Sequence, residues 1–190
     1  MPDTAVNRRL TESIRKLPNL ILAIEQRSID GQTFHLERSF FADEVQATEA
    51  IVNLPTTVVR SWQPTQIYGK DTFPTFAYAI LERMGVPIPD RNTQWLIDYS
   101  LVDSVVIRPD IHSFPWTFLR DQVILIGDTR DLRDLRSVPF TMGTSARIAG
   151  VQVHMQIIQT AAAQHWFCKL SEVWTWLITF VFLWLLLMIK

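Results

Sequence analysis

The chain has 190 residues, with 18 basic and 19 acidic side chains and a formal net charge of -1 at pH 7. The length suits one domain of ordinary size with a short appendage, and it is too short for two independent cores. Because the charges lie in short mixed runs with no basic stripe, the sequence predicts no nucleic-acid partner. The single cysteine, Cys168, excludes an intramolecular disulfide and has no C-x-x-C partner.

Periodicity in the first third of the chain predicts a helix followed by strands. Apolar residues recur at helical spacing over residues 10–17, and Pro18 stops the pattern. The apolar run at 20–24 has the length of a strand, residues 30–31 (Asp-Gly) indicate a turn, and β-branched residues at 58–62 predict a further strand.

A well-punctuated amphipathic helix is predicted at residues 74–84. Pro74 would occupy its first turn, and Gly85 lies just past its end. The apolar positions between them fall on one helical face: Phe76, Ala77, Ile80, Leu81 and Met84.

The second half of the chain continues the alternation of strands and helices. Strands are predicted at 95–99 and 104–107, and residues 114–119 form a short aromatic segment. The run VILIG at 123–127 has the composition of a central strand that is buried on both faces. Helical spacing returns over 150–167. The pattern favours an α/β domain over residues 1–168, a layered sheet with flanking helices.

Three carboxylates follow the predicted strand at 123–127, in the stretch GDTRDLRDLRSVPF. In an α/β sheet, ligands tend to bind beyond the carboxyl ends of the strands, and Asp128, Asp131 and Asp134 could hold a hard cation or a signal there. The alternative is a solvated loop whose Asp-Arg pairs contribute little. A metal-dependent hydrolase remains a third, minor hypothesis, and no metal ligand is assigned.

His154 lies near the start of the last domain helix, where it could bind a ligand or sense pH. A histidine in such a place more often makes one structural hydrogen bond. The sequence contains no nucleophile elbow, no P-loop, no dinucleotide fingerprint and no H-E-x-x-H zinc motif. It therefore predicts no catalytic residue, no cofactor and no enzyme activity.

The C-terminal segment predicts a transmembrane helix over residues 170–190. Seventeen uncharged residues run from Val173 to Ile189, and at about 1.5 Å per residue they rise about 26 Å, slightly less than the ~30 Å hydrocarbon core. Trp174 and Trp176 would lie at one membrane interface and Lys190 at the other. The alternative, a buried core helix, would require a small domain to cover a helix that is apolar on every face.

Several stretches resemble the type-two CHASE domain, a sensory extracytoplasmic module of bacterial receptors. The family's strand ending in Ile-Gly corresponds to residues 123–127, its Asp before a Pro to Asp134 with Pro139, and its Gly-Val-x-x-His segment to residues 150–154. The resemblance covers most of residues 10–166. Asp121-Gln122 replaces the family lysine before the strand, and Met155 replaces the usual alanine.

The resemblance implies a non-enzymatic sensor that binds a small-molecule or protein signal and couples it to its membrane helix. It implies the bacterial inner membrane, with a homodimer or a receptor chain as partner. Its site would include Asp128, Asp131, Asp134 and His154. Since the family's opening segment and output module are not apparent, a truncated or split receptor is expected. The alternative is a membrane-anchored structural or interaction protein.

Overall fold

The computed structural model describes residues 4–17, 19–28, 34–39, 42–43, 45, 47–55, 57–101, 116–127, 134–139 and 145–188. These residues form helices α1 (Thr4–Ile14), α2 (Phe76–Arg83), α3 (Gly150–Ala162) and α4 (Glu172–Met188). Their strands are β1 (Ile21–Ser28), β2 (Phe34–Glu37), β3 (Thr48–Ile51), β4 (Ser61–Trp62), β5 (Thr65–Tyr68), β6 (Asp71–Pro74), β7 (Trp95–Leu96), β8 (Leu135–Pro139) and β9 (Ser145–Ala149). The predicted α/β class is confirmed.

Instead of one layered sheet, the described strands form four small sheets. The largest has the order β2-β1-β3, with β1 antiparallel to β2 and parallel to β3. The other three are the antiparallel pairs β4-β7, β5-β6 and β8-β9. The strand predicted at 20–24 is therefore confirmed as β1, whereas those predicted at 58–62 and 95–99 shorten to the two-residue strands β4 and β7.

The hydrophobic core lies between α2 and α3. Helix α2 buries five consecutive residues, from Ala77 to Leu81, and α3 contributes Val153, Ile157 and Ala161. Trp62 and Trp95 extend this cluster to the β4-β7 pair. Apolar positions three and four residues apart place these side chains on one face of α3, so burial against α2 orients the helix.

Helix α2 agrees with its prediction except at Pro74. That residue ends β6, where its register partner is Thr65, and so lies before the helix instead of in its first turn. Thr75 has an extended backbone and is the N-cap residue. Proline fits this strand end because it has no backbone N–H, and a residue that precedes the helix does not have to donate one to it.

The strand predicted at 123–127 is wrong. Residues 122–127 have no regular secondary structure, and the side chains of Ile124 and Ile126 are 54% and 94% exposed. Only Leu125 packs against the core. A strand needs a hydrogen-bonded neighbour as well as apolar side chains, and none of the described strands pairs with this run.

Four other predicted elements differ or lie outside the described residues. Residues Trp116–Leu119 of the aromatic segment form a 3-10 helix. The predicted turn at 30–31 and strand at 104–107 lie outside the described residues. The helix predicted over 150–167 ends at Ala162, because Gln164 adopts a left-handed backbone with φ of 59°.

The apolar C-terminal run forms helix α4, as its sequence predicts. It has 17 residues, and every one of its described side chains is exposed. No helix within the described part of the chain is both long and apolar enough to cross a membrane. The transmembrane assignment of residues 170–190 is therefore not supported by the structure.

Candidate functional site

A cavity of about 100 Å³ lies where α2, α3 and the short strands meet. Its walls come from the start of α2, the middle of α3, strands β4 and β5, and the chain that follows β3. The lining residues are Asn53, Leu54, Pro55, Ser61, Trp62, Gln63, Gln66, Thr75, Ala77, Gln94, His154 and Ile157. None of these twelve side chains is an Asp, Glu, Lys or Arg, so the cavity wall is uncharged and combines polar with apolar groups.

Thr75 holds the start of α2 against the turn between β4 and β5. Its backbone N–H donates to the Pro64 carbonyl oxygen at 2.9 Å, and its hydroxyl lies 3.0 Å from the carbonyl oxygens of Gln63 and Pro64. Because the Thr75 hydroxyl bonds to the turn before β5, it does not cap its own helix. These bonds instead fix the position of one wall of the cavity.

His154 forms part of the opposite wall, from the second turn of α3. Its Nε2 atom lies 3.1 Å from the Val52 carbonyl oxygen, and its ring packs edge-to-face against Phe76 of α2 with centroids 5.4 Å apart. Burial lowers the pKa of His154 from its ordinary 6.5 to about 4, although the bond to Val52 raises it, and nearby Arg136 lowers it further. The imidazole is therefore neutral at pH 7.

Two buried nitrogen atoms of cavity-lining side chains have no partner among the described residues. They are Nε1 of Trp62 and Nδ1 of His154. Both residues are only 6% exposed, so solvent reaches neither ring freely. Buried polar atoms are normally paired, and an unpaired one costs about 1–3 kcal/mol. Both atoms are enclosed by the packing around them, so their missing bonds are a local cost of that packing.

Two glutamine side chains of the cavity wall are held in place by hydrogen bonds within the protein. Nε2 of Gln94 donates to the Ser61 hydroxyl at 2.6 Å, and Nε2 of Gln66 donates to the Asn53 carbonyl oxygen at 3.3 Å. These contacts orient the amide groups before any ligand arrives, which reduces the entropy lost on binding.

The far end of α3 is clamped to the chain around β7. The Asp98 N–H donates to the Thr160 hydroxyl at 3.0 Å, and Nδ1 of His165 lies 2.9 Å from an Asp98 carboxylate oxygen. The Leu96 N–H donates to the Phe167 carbonyl oxygen at 2.7 Å. We call residues 163–171 the connection, since they link α3 to α4.

Asp98 carries the charge in this clamp. Two hydrogen bonds from Ser100, from its hydroxyl at 2.6 Å and its backbone N–H at 2.9 Å, are the main reason that its pKa is lowered, and His165 lowers it further. The rings of Trp95 and Trp166 also meet edge-to-face at 5.3 Å. Polar and aromatic contacts therefore hold the connection against β7 and the residues that follow it.

The sequence matches the family model of the CHASE2 domain over residues 2–189, which is essentially the whole chain. The chain belongs to the CHASE2 domain family. This is a family of sensory domains that are typically extracellular parts of membrane receptors. The resemblance seen in the sequence is thereby confirmed, and the match is wider than residues 10–166. No curated protein and no solved structure matches the chain.

Of the three carboxylates predicted for a site in this CHASE2 domain, only Asp134 lies within the described residues. Its carboxylate accepts a hydrogen bond from the Gly150 N–H at 3.1 Å and lies 3.4 Å from the Arg136 guanidinium. It is thus a cap for α3 and does not line the cavity. Asp128 and Asp131 lie outside the described residues. Among those that are described, no cluster of three or more side chains could hold a metal ion.

The other predicted site residues are spread widely. His154 lines the cavity, whereas Trp174 and Trp176 lie on α4 and are 57% and 75% exposed. Lys190, the predicted residue of the second interface, lies outside the described residues. The structure therefore does not bring His154 together with the predicted interface residues.

Sequence reasoning missed Trp62, Thr75, Gln66 and Gln94 as cavity residues. They come from four separate segments, and no local spacing connects them. Trp62 was the one with a usable signal, because a tryptophan at the end of a short strand buries a large ring whose N–H then needs a partner.

Proposed function

We propose that this chain is the non-enzymatic sensory module of a bacterial membrane receptor, and that its signal binds in the cavity lined by Trp62 and His154. Membership of a family of sensory domains supports the general role. The uncharged wall, which combines polar and apolar side chains, supports the cavity as the site. The cavity wall offers binding groups and no activated nucleophile, which favours sensing over catalysis.

The observation that carries the proposal is that α3 belongs to both the cavity and the connection. His154 and Ile157 line the cavity, and Thr160, one turn further on, is hydrogen-bonded to the clamp at Asp98. A ligand that favours one position of α3 therefore changes the balance of contacts that hold residues 163–171. Signalling requires such a difference in affinity between two arrangements.

Helix α4 is the proposed output of the module. It follows the connection directly, and its exposed apolar side chains require an apolar environment. We propose that α4 makes the contact with the membrane part of the receptor and receives the change in α3 through the clamp.

Cys168 allows this proposal to be tested on the full chain. It is the single cysteine, it is exposed, and it lies within the connection. A nitroxide attached to Cys168 reports motion of the connection while erythritol, glycerate and inorganic phosphate are added in turn. We expect the probe that raises the melting temperature also to change the mobility of the nitroxide.

The variant Asp98→Asn separates binding from coupling. It weakens the contact with His165, so the melting temperature should still rise with the binding probe while the nitroxide response is lost. The matched control is Asp90→Asn, because Asp90 also accepts hydrogen bonds from its own loop, at Asn92, but lies outside the clamp. A probe that binds the wild-type chain in the cavity without any response at Cys168 would contradict the proposed coupling.

A second candidate function is that of an interaction protein whose α4 pairs with helices of another chain. The exposure of every described side chain of α4 favours it. It predicts that the full chain, extracted in detergent, copurifies with one partner and that cross-linking through Cys168 traps the pair. A chain that is monomeric under the same conditions argues against this function.

A further inference from the structure

Helix α1 and the coil that continues it repeat one pattern of side chains after two turns. The N–H groups of residues 15–17 each donate to a carbonyl oxygen three or four residues earlier, at 2.9–3.2 Å, so the winding extends to residue 17. The triplets at 8–10 (Arg-Arg-Leu) and 15–17 (Arg-Lys-Leu) lie seven residues apart. Because seven residues are close to two helical turns, the second triplet lies on the same faces as the first.

This winding gathers positive charge that the sequence shows only as two short runs. The four basic side chains of residues 8–17 are all exposed. Glu12 is the one acidic residue of this stretch, which therefore carries a net charge of +3, whereas the whole chain carries -1. Arg9 and Lys16, which form one row, make no ion pair with the residues that the structure describes. Their charges are available to an anionic partner.

A row of exposed leucine residues lies beside this basic row. Leu10 and Leu17 are 45% and 54% exposed, although leucine gains free energy when it leaves water. Thr11 is only 4% exposed and marks the side of α1 that packs against the rest of the protein. Consecutive residues of a helix are about 100° apart, so the leucine row flanks that side, and the row of Arg9 and Lys16 points nearly away from it.

An anionic lipid surface matches both rows. Its phosphate groups attract the basic side chains, and the apolar layer beneath them accepts the leucine side chains, as for other basic amphipathic helices at a bilayer interface. Nucleic acid would match the charges but leave the leucine side chains in water. Helix α4 favours lipid over a protein partner, because an exposed helix that is apolar on every face brings the chain to an apolar medium.

We propose that α1 docks on an anionic lipid surface, with Arg9 and Lys16 beside the lipid phosphates and Leu10 and Leu17 at the edge of the acyl layer. The proposal goes beyond the sensory function, because α1 contributes no residue to the cavity or to the clamp at Asp98. Docking at α1, in addition to α4, restrains the orientation of the domain on the bilayer.

A nitroxide at position 13 follows this docking in the full chain. Ser13 is exposed and lies between the basic row and the leucine row, and Ser13→Cys combined with Cys168→Ser places the label there alone. The labelled chain is reconstituted into vesicles of phosphatidylcholine, with or without phosphatidylglycerol. We expect a mobile label in the neutral vesicles and an immobilised label, exposed to oxygen from the acyl layer, in the anionic ones. Added salt should release it, because salt screens the attraction.

The double variant Arg9→Gln with Lys16→Gln removes the basic row. Each basic side chain near an anionic surface contributes a factor of about five, so the ratio of docked to free label should fall about 25-fold. The matched control is Lys70→Gln with Arg120→Gln, which removes two exposed positive charges outside α1. It should leave the ratio unchanged.

The results separate the possible occupants of α1. Equal mobility in the two kinds of vesicle overturns the proposal, as does unchanged docking of the Arg9 and Lys16 double variant. Immobilisation without vesicles that grows with protein concentration assigns this face to a second copy of the chain and also overturns it. If the label disturbs α1, the partition of the unlabelled chain and its variants into phosphatidylglycerol vesicles decides, because α4 contributes equally to every variant.

Discussion

Helices α2 and α3 end in the same geometry, although their sequences differ at the decisive position. At the end of α2, Gly85 has φ of 71°, and the Val86 N–H donates to the Leu81 carbonyl oxygen. At the end of α3, Gln164 has φ of 59°, and the His165 N–H donates to the Thr160 carbonyl oxygen. Both are Schellman motifs, which usually place glycine at the left-handed position.

The two helices also differ in sequence at their starts. Helix α2 begins beside Thr75, a residue type that is typical of N-caps, whereas α3 begins after Ala149, which cannot cap. Two N–H groups at the start of α3 have side-chain acceptors: that of Ala149 donates to Gln152, and that of Gly150 donates to Asp134, which lies 16 residues earlier. Helix α2 carries its end signals locally, while α3 depends on the fold for part of its own.

The largest expected effect is a pH dependence of stability that arises where α2 and α3 meet. Phe76 of α2 is apolar and packs against the buried His154 of α3, whose pKa is lowered to about 4. In the unfolded chain His154 binds a proton near its ordinary pKa, so the full stability is present above about pH 6.5. We expect it to fall by about 3 kcal/mol as the pH drops towards 4.

The variant His154→Gln isolates this contribution. Glutamine can still donate to the Val52 carbonyl oxygen but does not titrate, so its unfolding free energy should lack this component of the pH dependence. Carboxylates titrate in both proteins, and the difference between the two urea-unfolding curves from pH 7 to pH 4 removes their effect. Parallel curves over that range would show that His154 is not buried as a neutral group.

The next effect concerns the start of α3. Asp134→Ala removes the acceptor for the Gly150 N–H, and we expect a loss of about 1 kcal/mol, typical of a missing helix cap. Asp134→Asn is the matched control, since it keeps an acceptor oxygen while losing the charge. Its free energy of unfolding should fall by only about a few tenths of a kcal/mol. If the two variants are equally destabilised in urea unfolding, the charge near Arg136 matters more than the cap.

How far the sequence predicts the fold follows from this difference between local and distant signals. The α/β class, β1 and most of α2 were predictable, because periodicity and glycine punctuation lie within each segment. The end of α3 was not, because Gln164 carries no glycine signal for its left-handed backbone. The exposed run at 123–127 was mistaken for a strand because composition does not reveal whether a pairing neighbour exists.

The candidate site was less predictable than the fold. His154 could be selected as a histidine in a family-like segment, but its orientation in the cavity wall depends on the Val52 carbonyl oxygen, 102 residues away in the chain. Trp62 and the glutamine residues reach the cavity from other segments. Sequence patterns select residue types, whereas the donor and acceptor arrangement arises only when the elements pack together.

The smallest expected effect comes from exchanging the residue types at the left-handed positions of the two helix ends. Gln164→Gly should stabilise the chain by about 0.5–1 kcal/mol, because glycine relieves the left-handed strain at some cost in unfolded-state entropy. The reciprocal Gly85→Gln should destabilise it by a similar amount. Since a Cβ at Gly85 would meet no heavy atom within 4 Å, that cost reports the backbone alone. If Gln164→Gly instead destabilises the chain in urea unfolding, the glutamine side chain contributes a contact that outweighs its strained backbone, and the two ends are not equivalent.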